Sequence, residues 1–144
     1  MAGINTGKVV VGGLAAGVVM NVIDFCANTF VLQNTMKADF DKLNPALWAA
    51  MNGTNSMVGF VVIDFILGIL LVWLYAAIRP RFGAGAGTAV KAGLFAWLFG
   101  GAIWYSLVVM GILSNTSFVM AGAVSLVNLV ASALVGGMVY KEEA

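Results

Sequence analysis

Two aspartates with identical neighbours are the residues of this sequence with the clearest capacity for chemistry. Asp24 and Asp64 each stand in the string Val-Ile-Asp-Phe, inside long apolar runs. The sequence has no histidine, so imidazole is available neither as a base nor as a metal ligand. Its single cysteine, Cys26, also lies in an apolar run and is interpreted as a buried hydrophobe. The aspartates therefore point to carboxyl chemistry: binding a proton, binding a cation or pairing with a basic group.

The apolar runs that carry the aspartates are long enough to cross a membrane. The chain is 62% hydrophobic and 9% charged, a composition unlike that of water-soluble domains. A transmembrane helix needs about 20 apolar residues, and four runs reach that length. We predict an all-α integral membrane protein, a four-helix bundle forming a single domain over 1–144, with spans at about 9–32, 57–78, 89–113 and 118–140.

The connection after the first span is long enough to hold further structure. Apolar residues recur in it every three or four positions, and Asn44-Pro45 is typical of a helix N-terminus. We predict a short interfacial helix in this first loop, closed near Gly53. In the second connection, Pro80 is expected to end the preceding helix before a glycine-rich turn.

Basic residues are divided unevenly between the two faces of the predicted bundle. Only Lys37 and Lys42 fall on the face of the first connection, and five fall on the face that holds both termini: Lys8, Arg79, Arg81, Lys91 and Lys141. The positive-inside rule therefore predicts that both termini are cytoplasmic. Since the chain contains no basic tract, we expect contact with membrane lipid and no nucleic-acid partner.

Further polar residues are predicted at the depth of the aspartates. Counting about 1.5 Å per residue from the span centres puts Asp24 and Asp64 at one depth on antiparallel helices. The predicted intramembrane polar layer, a candidate site for an ion, a proton or a partner, consists of Asp24, Asp64, Asn21, Asn28, Asn128 and Tyr105. Small residues at helical spacing are predicted to pack the helices together. They are Gly13, Gly17, Ser125, Ser132 and Gly136.

A charged carboxylate at mid-membrane costs on the order of 3 kcal/mol, so the aspartates need compensation. The nearest cations on the same helices, Lys8 and Arg79, lie more than about 20 Å away along the axis. Three alternatives stay open. The carboxyls are protonated and share hydrogen bonds; or they hold a cation or titrate with transported protons; or they meet a basic residue of another subunit.

Two stretches carry a resemblance to a group of known sequences. They are Leu74-Tyr-Ala-Ala-Ile-Arg-Pro-Arg-Phe-Gly-Ala-Gly85, with the following Lys91-Ala-Gly-Leu94, and the opening Val11-Gly-Gly-Leu-Ala-Ala-Gly17. The chain resembles small bacterial membrane proteins with four predicted spans and no known activity. The resemblance implies a bacterial source, and with it the inner (cytoplasmic) membrane, but no mechanism.

The leading functional hypothesis is a non-catalytic structural or accessory subunit. It rests on the apolar bulk, the short loops and the lack of catalytic side chains, and it implies a homo-oligomer or other membrane subunits as partners. The alternative is a small proton- or sodium-coupled transporter or channel that uses Asp24 and Asp64. We expect no catalytic residue, no metal site and no cofactor.

Overall fold

Most of the chain is helical, and no strand occurs among the residues described. A computed structural model describes residues 3–141. The six α-helices are α1 (Thr6–Ala27), α2 (Gln33–Leu43), α3 (Pro45–Met51), α4 (Thr54–Phe82), α5 (Ala86–Val109) and α6 (Asn115–Val139). A π-helical segment, Asn28–Leu32, joins α1 to α2 without a break.

Four helices are long and apolar enough to cross a membrane. They are the continuous helix Thr6–Leu43 and the helices α4, α5 and α6. The predicted all-α class and the four-helix bundle are thereby confirmed, and the protein is a multi-pass membrane protein. The short helix predicted in the first loop is α3, whose first turn begins at Pro45 and whose N-terminus is capped by the Asn44 side chain, 2.9 Å from the amide of Ala46.

The first connection contains more helix than its sequence pattern indicated. The helix that begins at Thr6 continues to Leu43 and has 38 residues, which corresponds to about 57 Å. The hydrocarbon core of a bilayer is about 30 Å thick. Because α2 also carries four charged side chains within Lys37–Lys42, we place it beyond the hydrocarbon, as an extension of the first span into water or headgroups.

The prediction that Pro80 ends its helix is wrong. Pro80 lies inside α4, which continues to Phe82 and stops at Gly83, a residue with φ of 82°. Pro80 lacks the N–H of one helical hydrogen bond, but it lies only two residues before the last residue of α4, so little helix follows it. The amide of Gly83 still donates to the carbonyl of Arg79 over 2.8 Å, so the last turn is complete.

The four long helices pack in the cyclic order α4, α1, α6, α5. Within the described range, α1 lies against α4 and α6 but makes no contact with α5, and the α4–α5 contact is the least extensive of the four sides. We call the end that holds Asn5 and Tyr140 the terminal end; there the amide of Asn5 donates to the Tyr140 hydroxyl over 3.2 Å. The opposite end, covered by α2 and α3, is called the far end.

Buried side chains form two clusters along the bundle. The cluster toward the terminal end joins all four long helices, and its members include Val9, Val72, Ala92 and Ala133. The cluster at the far end consists of Ala27, Leu32, Met36 and Leu113, with Phe40 and Trp48 packed against it. The second cluster attaches α2 and α3 to the body of the protein.

Candidate functional site: an intramembrane carboxyl pair

Asp24 is held by an amide of the neighbouring helix. The carboxyl of Asp24, on α1, accepts a hydrogen bond of 2.7 Å from the Nδ2 group of Asn128, on α6. Asn128 is buried, and its Oδ1 atom accepts a 3.1 Å hydrogen bond from the hydroxyl of Ser132, one turn further along α6. The chain Ser132–Asn128–Asp24 fixes the orientation of the amide, so that its N–H group faces the carboxyl.

Asp64 is less exposed than Asp24 when each whole residue is considered, and its carboxyl has no comparable support. Its exposed fraction is 8%, and none of residues 3–141 donates a hydrogen bond to it. It lies near enough to Asp24 for the two acidic groups to interact electrostatically. The two ion pairs found in the described part of the chain, Asp41–Lys37 and Asp39–Lys42, both lie on α2, away from this pair.

Close glycine contacts set the position of α4 against α1. A Cβ atom added to Gly17 would lie 2.9 Å from the Cα atom of Phe65, and one added to Gly68 would lie 2.7 Å from the amide nitrogen of Gly17. Gly13 likewise faces Ile69. The backbones of α1 and α4 approach so closely that only glycine fits at these three positions.

This packing corrects the expectation that the two aspartates share one depth. Gly17 lies opposite Phe65, and the amide of Asn21 reaches the carbonyl of Val61 over 3.4 Å. Asp64 is therefore level with residue 18 of α1, six residues or about 9 Å from Asp24 along the axis. Counting depth from the span centres did not predict this offset, because the glycine contacts between α1 and α4, and not the span midpoints, fix the register of the two helices. Since Cβ atoms tilt toward the N-terminus of each antiparallel helix, the two carboxyls lean toward each other.

The placement of Tyr105 in the polar layer is wrong. Its ring packs against Phe118 with a centroid distance of 5.3 Å, and Asn128 lies ten residues, or about 15 Å, further along α6. Gly93 is the residue of α5 that approaches α6 near Asn128, since a Cβ there would lie 2.9 Å from the carbonyl oxygen of Leu129. The expectation put Tyr105 at the depth of Asn128, and the observed position of α5 along α6 differs from it by about three helical turns.

The other polar and small residues predicted from the sequence have different surroundings. Asn21 bonds to the carbonyls of Gly17 and Val61, whereas Asn28 is exposed and bonds to the carbonyl of Asp24 on its own helix. Gly136 is buried against α1, where a Cβ on Gly12 would lie 2.8 Å from its carbonyl oxygen. The hydroxyl of Ser125 donates only to the carbonyl of Gly122, within α6.

A third carboxyl, that of Asp39 of α2, was not singled out by the sequence analysis. Its exposed fraction is 4%, and its Oδ2 atom accepts hydrogen bonds from the Ser117 hydroxyl at 2.6 Å, the Ser114 hydroxyl at 2.7 Å and the Ser114 amide at 2.9 Å. Lys42 lies 3.3 Å from the other carboxyl oxygen. These atoms occupy the N-terminus of α6, where the helix dipole favours an anion.

The surroundings of Asp39 act on its pKa in opposite directions. Burial by itself raises the pKa, but hydrogen bonds from Ser117 and Ser114, together with Lys42, outweigh it and lower the pKa to about 2. Ser114 and Ser117 were recognisable as a helix N-cap pattern. The acid that completes the cap lies 75 residues away in sequence, so no local signal identified it.

No protein-family model, no curated protein and no solved structure matches this chain. The resemblance of its 74–94 segment to small bacterial membrane proteins therefore stays a prediction. The chemistry of the carboxyl pair has to be argued from its own geometry.

The polar atoms of the pair are carboxyl oxygens, which can bind a proton or a hard cation. Among the described residues, no group of three or more histidine, cysteine or acidic side chains lies together in a way that could hold a metal ion. Hard cations are bound by several carboxylate, carbonyl or water oxygens, whereas a proton needs only one or two carboxyls.

Proposed function

We propose that this protein is a small proton-coupled membrane carrier or channel in which Asp24 and Asp64 are the proton-binding pair. The burial of Asp64 beside Asp24, with no hydrogen-bond donor or cation supplied to it by residues 3–141, is the observation that supports this function. A carboxylate in that position is costly within a membrane, and a bound proton removes the cost.

Burial also weighs against the alternative in which a partner subunit supplies the compensating charge. The exposed fraction of Asp64 is only 8%. A lysine or arginine of another subunit would therefore have little surface of Asp64 to contact. A proton is much smaller and needs far less access.

The two carboxyls are proposed to have unequal roles. Asp24 keeps its bond to Asn128 in either protonation state, because a carboxyl oxygen accepts from an amide whether or not the other oxygen carries a proton. Asp64 has no such bond and is the group whose proton is exchanged. Asn128 and Ser132 act as positioning residues for Asp24.

The test is proton flux into vesicles that contain the purified protein and a pH-sensitive dye, driven by a potassium diffusion potential. We expect flux in the parent, a loss of at least tenfold in Asp64→Asn, and a smaller loss in Asn128→Ala. The matched control is Asp41→Asn, an acid outside the span that pairs with Lys37. Parent vesicles without proton flux would overturn the proposal, as would flux that requires sodium.

An accessory subunit of a homo-oligomer or a larger membrane complex is the second candidate. The buried residues of α5 all lie in its first third, at Thr88, Ala89, Ala92 and Gly93. Many side chains in the remaining two thirds of α5 are exposed, among them Leu98, Phe99 and Ile103, and another subunit could pack there. Native purification tests this: a stoichiometric partner or a stable oligomer that dissociates in α5 surface variants, with no parent flux, would favour it.

A further inference from the structure

We infer that α2 and α3 form a hinged strap over the far end of the bundle, with the π-helical segment Asn28–Leu32 as its hinge and Asp39 as its latch. This inference goes beyond the proposed function and does not depend on it. It rests on the unusual helix geometry of the first connection and on two bonds to α6 that lie on either side of the segment.

The first bond fixes the body side of the hinge. Asp24 is bonded to Asn128 over 2.7 Å, and α1 is held below it by the close contacts of Gly13 and Gly17 with α4. A helix with such contacts cannot turn about its axis without separating from its neighbours. Everything in α1 up to Asp24 therefore belongs to the rigid body.

The second bond fixes the strap side. Asp39 is bonded to Ser114 and Ser117 at the N-terminus of α6, over distances of 2.6 to 2.9 Å. The rest of the strap is attached by apolar contacts, with Met36, Phe40 and Trp48 in the far-end cluster, and by the Ser56 hydroxyl, which donates to the carbonyl of Ala50 over 2.8 Å. Among the residues of the strap, Asp39 makes the largest number of the hydrogen bonds described between the strap and the rest of the protein.

The spacing of the two bonds explains why the helix is π-helical between them. Asp24 and Asp39 are fifteen residues apart in sequence. Their bonding partners lie closer together: Asn128, the partner of Asp24, is eleven residues from Ser117 and fourteen residues from Ser114, the two partners of Asp39. An unbroken α-helix would be at least one residue, about 1.5 Å, too long to make both bonds. A π-helical turn contains one extra residue, and Asn28–Leu32 absorbs the excess.

Because the π-helical turn is needed only while both bonds are made, breaking one bond leads to a definite second conformation of the strap. If the latch at Asp39 opens, the π-helical turn can revert to α-helix, which turns α2 by about 100° and shifts it by about 1.5 Å. The strap would then leave the far end of the bundle and expose the cluster beneath it. The hinge begins four residues after Asp24, whose carbonyl accepts the Asn28 side chain, so opening occurs directly above the carboxyl pair.

The test uses distances between spin labels in the purified full-length protein, with Cys26→Ser to remove the native thiol. One pair, Ala38→Cys with Val119→Cys, joins the strap to α6; a second pair, Val22→Cys with Val127→Cys, joins two helices of the body. Val22, Val119 and Val127 are exposed, as is Ala38. In the latch variant Asp39→Ala, we expect the strap distance to change by several ångströms or to broaden while the body distance stays as in the parent.

Two further variants make the result decisive. Deletion of Phe30, whose side chain is 80% exposed, removes the extra residue, so that an unbroken α-helix can make both bonds and the strap distance should stay as in the parent. Asp39→Ala added to this deletion should change the strap distance less than Asp39→Ala alone, because no π-helical turn is left to revert. Asp41→Ala, the matched control on the same helix, should leave both distances unchanged. A strap distance in Asp39→Ala equal to that of the parent would overturn the inference, and so would a body distance that changes together with it, because α2 would then not move on a hinge.

Discussion

At the scale of single residues, the buried aspartates Asp39 and Asp64 have opposite surroundings. Asp39 is surrounded by donors and a lysine, so its negative charge is stabilised where it lies. Asp64 is similarly buried but receives no hydrogen bond from the part of the chain that is described. A fully hydrogen-bonded buried polar group makes the fold more rigid, whereas a buried polar group without a partner is costly. Asp39 is thus a structural residue and Asp64 the candidate functional one.

The lowered pKa of Asp39 predicts an acid-dependent loss of stability. Because the pKa of Asp39 is about 2 in the folded protein, whereas the ordinary pKa of an aspartate is 3.8, the stabilisation is fully present above about pH 4. It is lost as the pH falls from about 4 to 2, as the group takes up a proton in the folded state. The loss is roughly 2 kcal/mol.

Thermal unfolding in detergent between pH 6 and pH 2 measures this effect. The unfolding midpoint of the parent should exceed that of Asp39→Ala at pH 6, and the difference should shrink toward pH 2. Asp41→Ala is the control, since its exposed pair with Lys37 contributes little. A difference between parent and Asp39→Ala that does not depend on pH would contradict the prediction.

At the scale of helices, glycine decides how the elements meet. α1 approaches α4 at Gly13 and Gly17 and approaches α6 at Gly12, so two neighbouring faces of one helix carry the closest contacts. Dispersion forces between closely packed backbones replace the hydrophobic effect inside a membrane, where lipid is as apolar as the side chains. These contacts determine the register of α1 against α4, and through it the separation of the two carboxyls.

The α1–α4 contact predicts an asymmetric response to alanine substitution. In Gly17→Ala, the new Cβ atom would lie 2.9 Å from the Cα atom of Phe65, so the helices must separate. We expect a loss of about 1–3 kcal/mol in the free energy of unfolding, and reduced function because Asp24 and Asp64 move apart.

Gly59→Ala is the matched control, because no atom lies within 4 Å of the added Cβ. It should be neutral or stabilising by up to about 1 kcal/mol, since alanine favours the helix over glycine. Chemical unfolding of both variants in mixed micelles tests the pair. Equal effects at the two positions would show that helix propensity, and not the α1–α4 contact, controls stability here.

At the scale of the whole molecule, the two ends of the bundle differ in charge and in covering. The terminal end joins Asn5 to Tyr140 and carries Arg79, Arg81 and Lys91 near it, whereas the far end is covered by α2 and α3. This asymmetry is what an oriented membrane protein requires.

The charge asymmetry predicts that the terminal end faces the cytoplasm. A reporter that fluoresces only in the cytoplasm should be active when fused after the C-terminus. A thiol introduced by Lys42→Cys in a Cys26→Ser background should react with an impermeant reagent added outside the cells. Reaction of Lys42→Cys only after the cells are lysed would contradict this orientation.

Several features of this protein followed from the sequence alone. Hydrophobic runs longer than the bilayer core left helices as the only suitable structure, so the all-α class, the four long helices and α3 were predictable. The apolar surroundings of Asp24 and Asp64 marked them as unusual for the same reason. Each of these inferences depends on composition and local spacing, which a single stretch of sequence contains.

Tertiary structure decided how the helices meet. The bond between Asp24 and Asn128, the 9 Å offset of Asp64, the removal of Tyr105 from the site and the capping of α6 by Asp39 all depend on contacts between distant segments. Continuous apolar helices can slide past one another with little change in their individual patterns. Their register is fixed only where glycine backbones and buried polar groups meet, and those meetings exist only in the folded bundle.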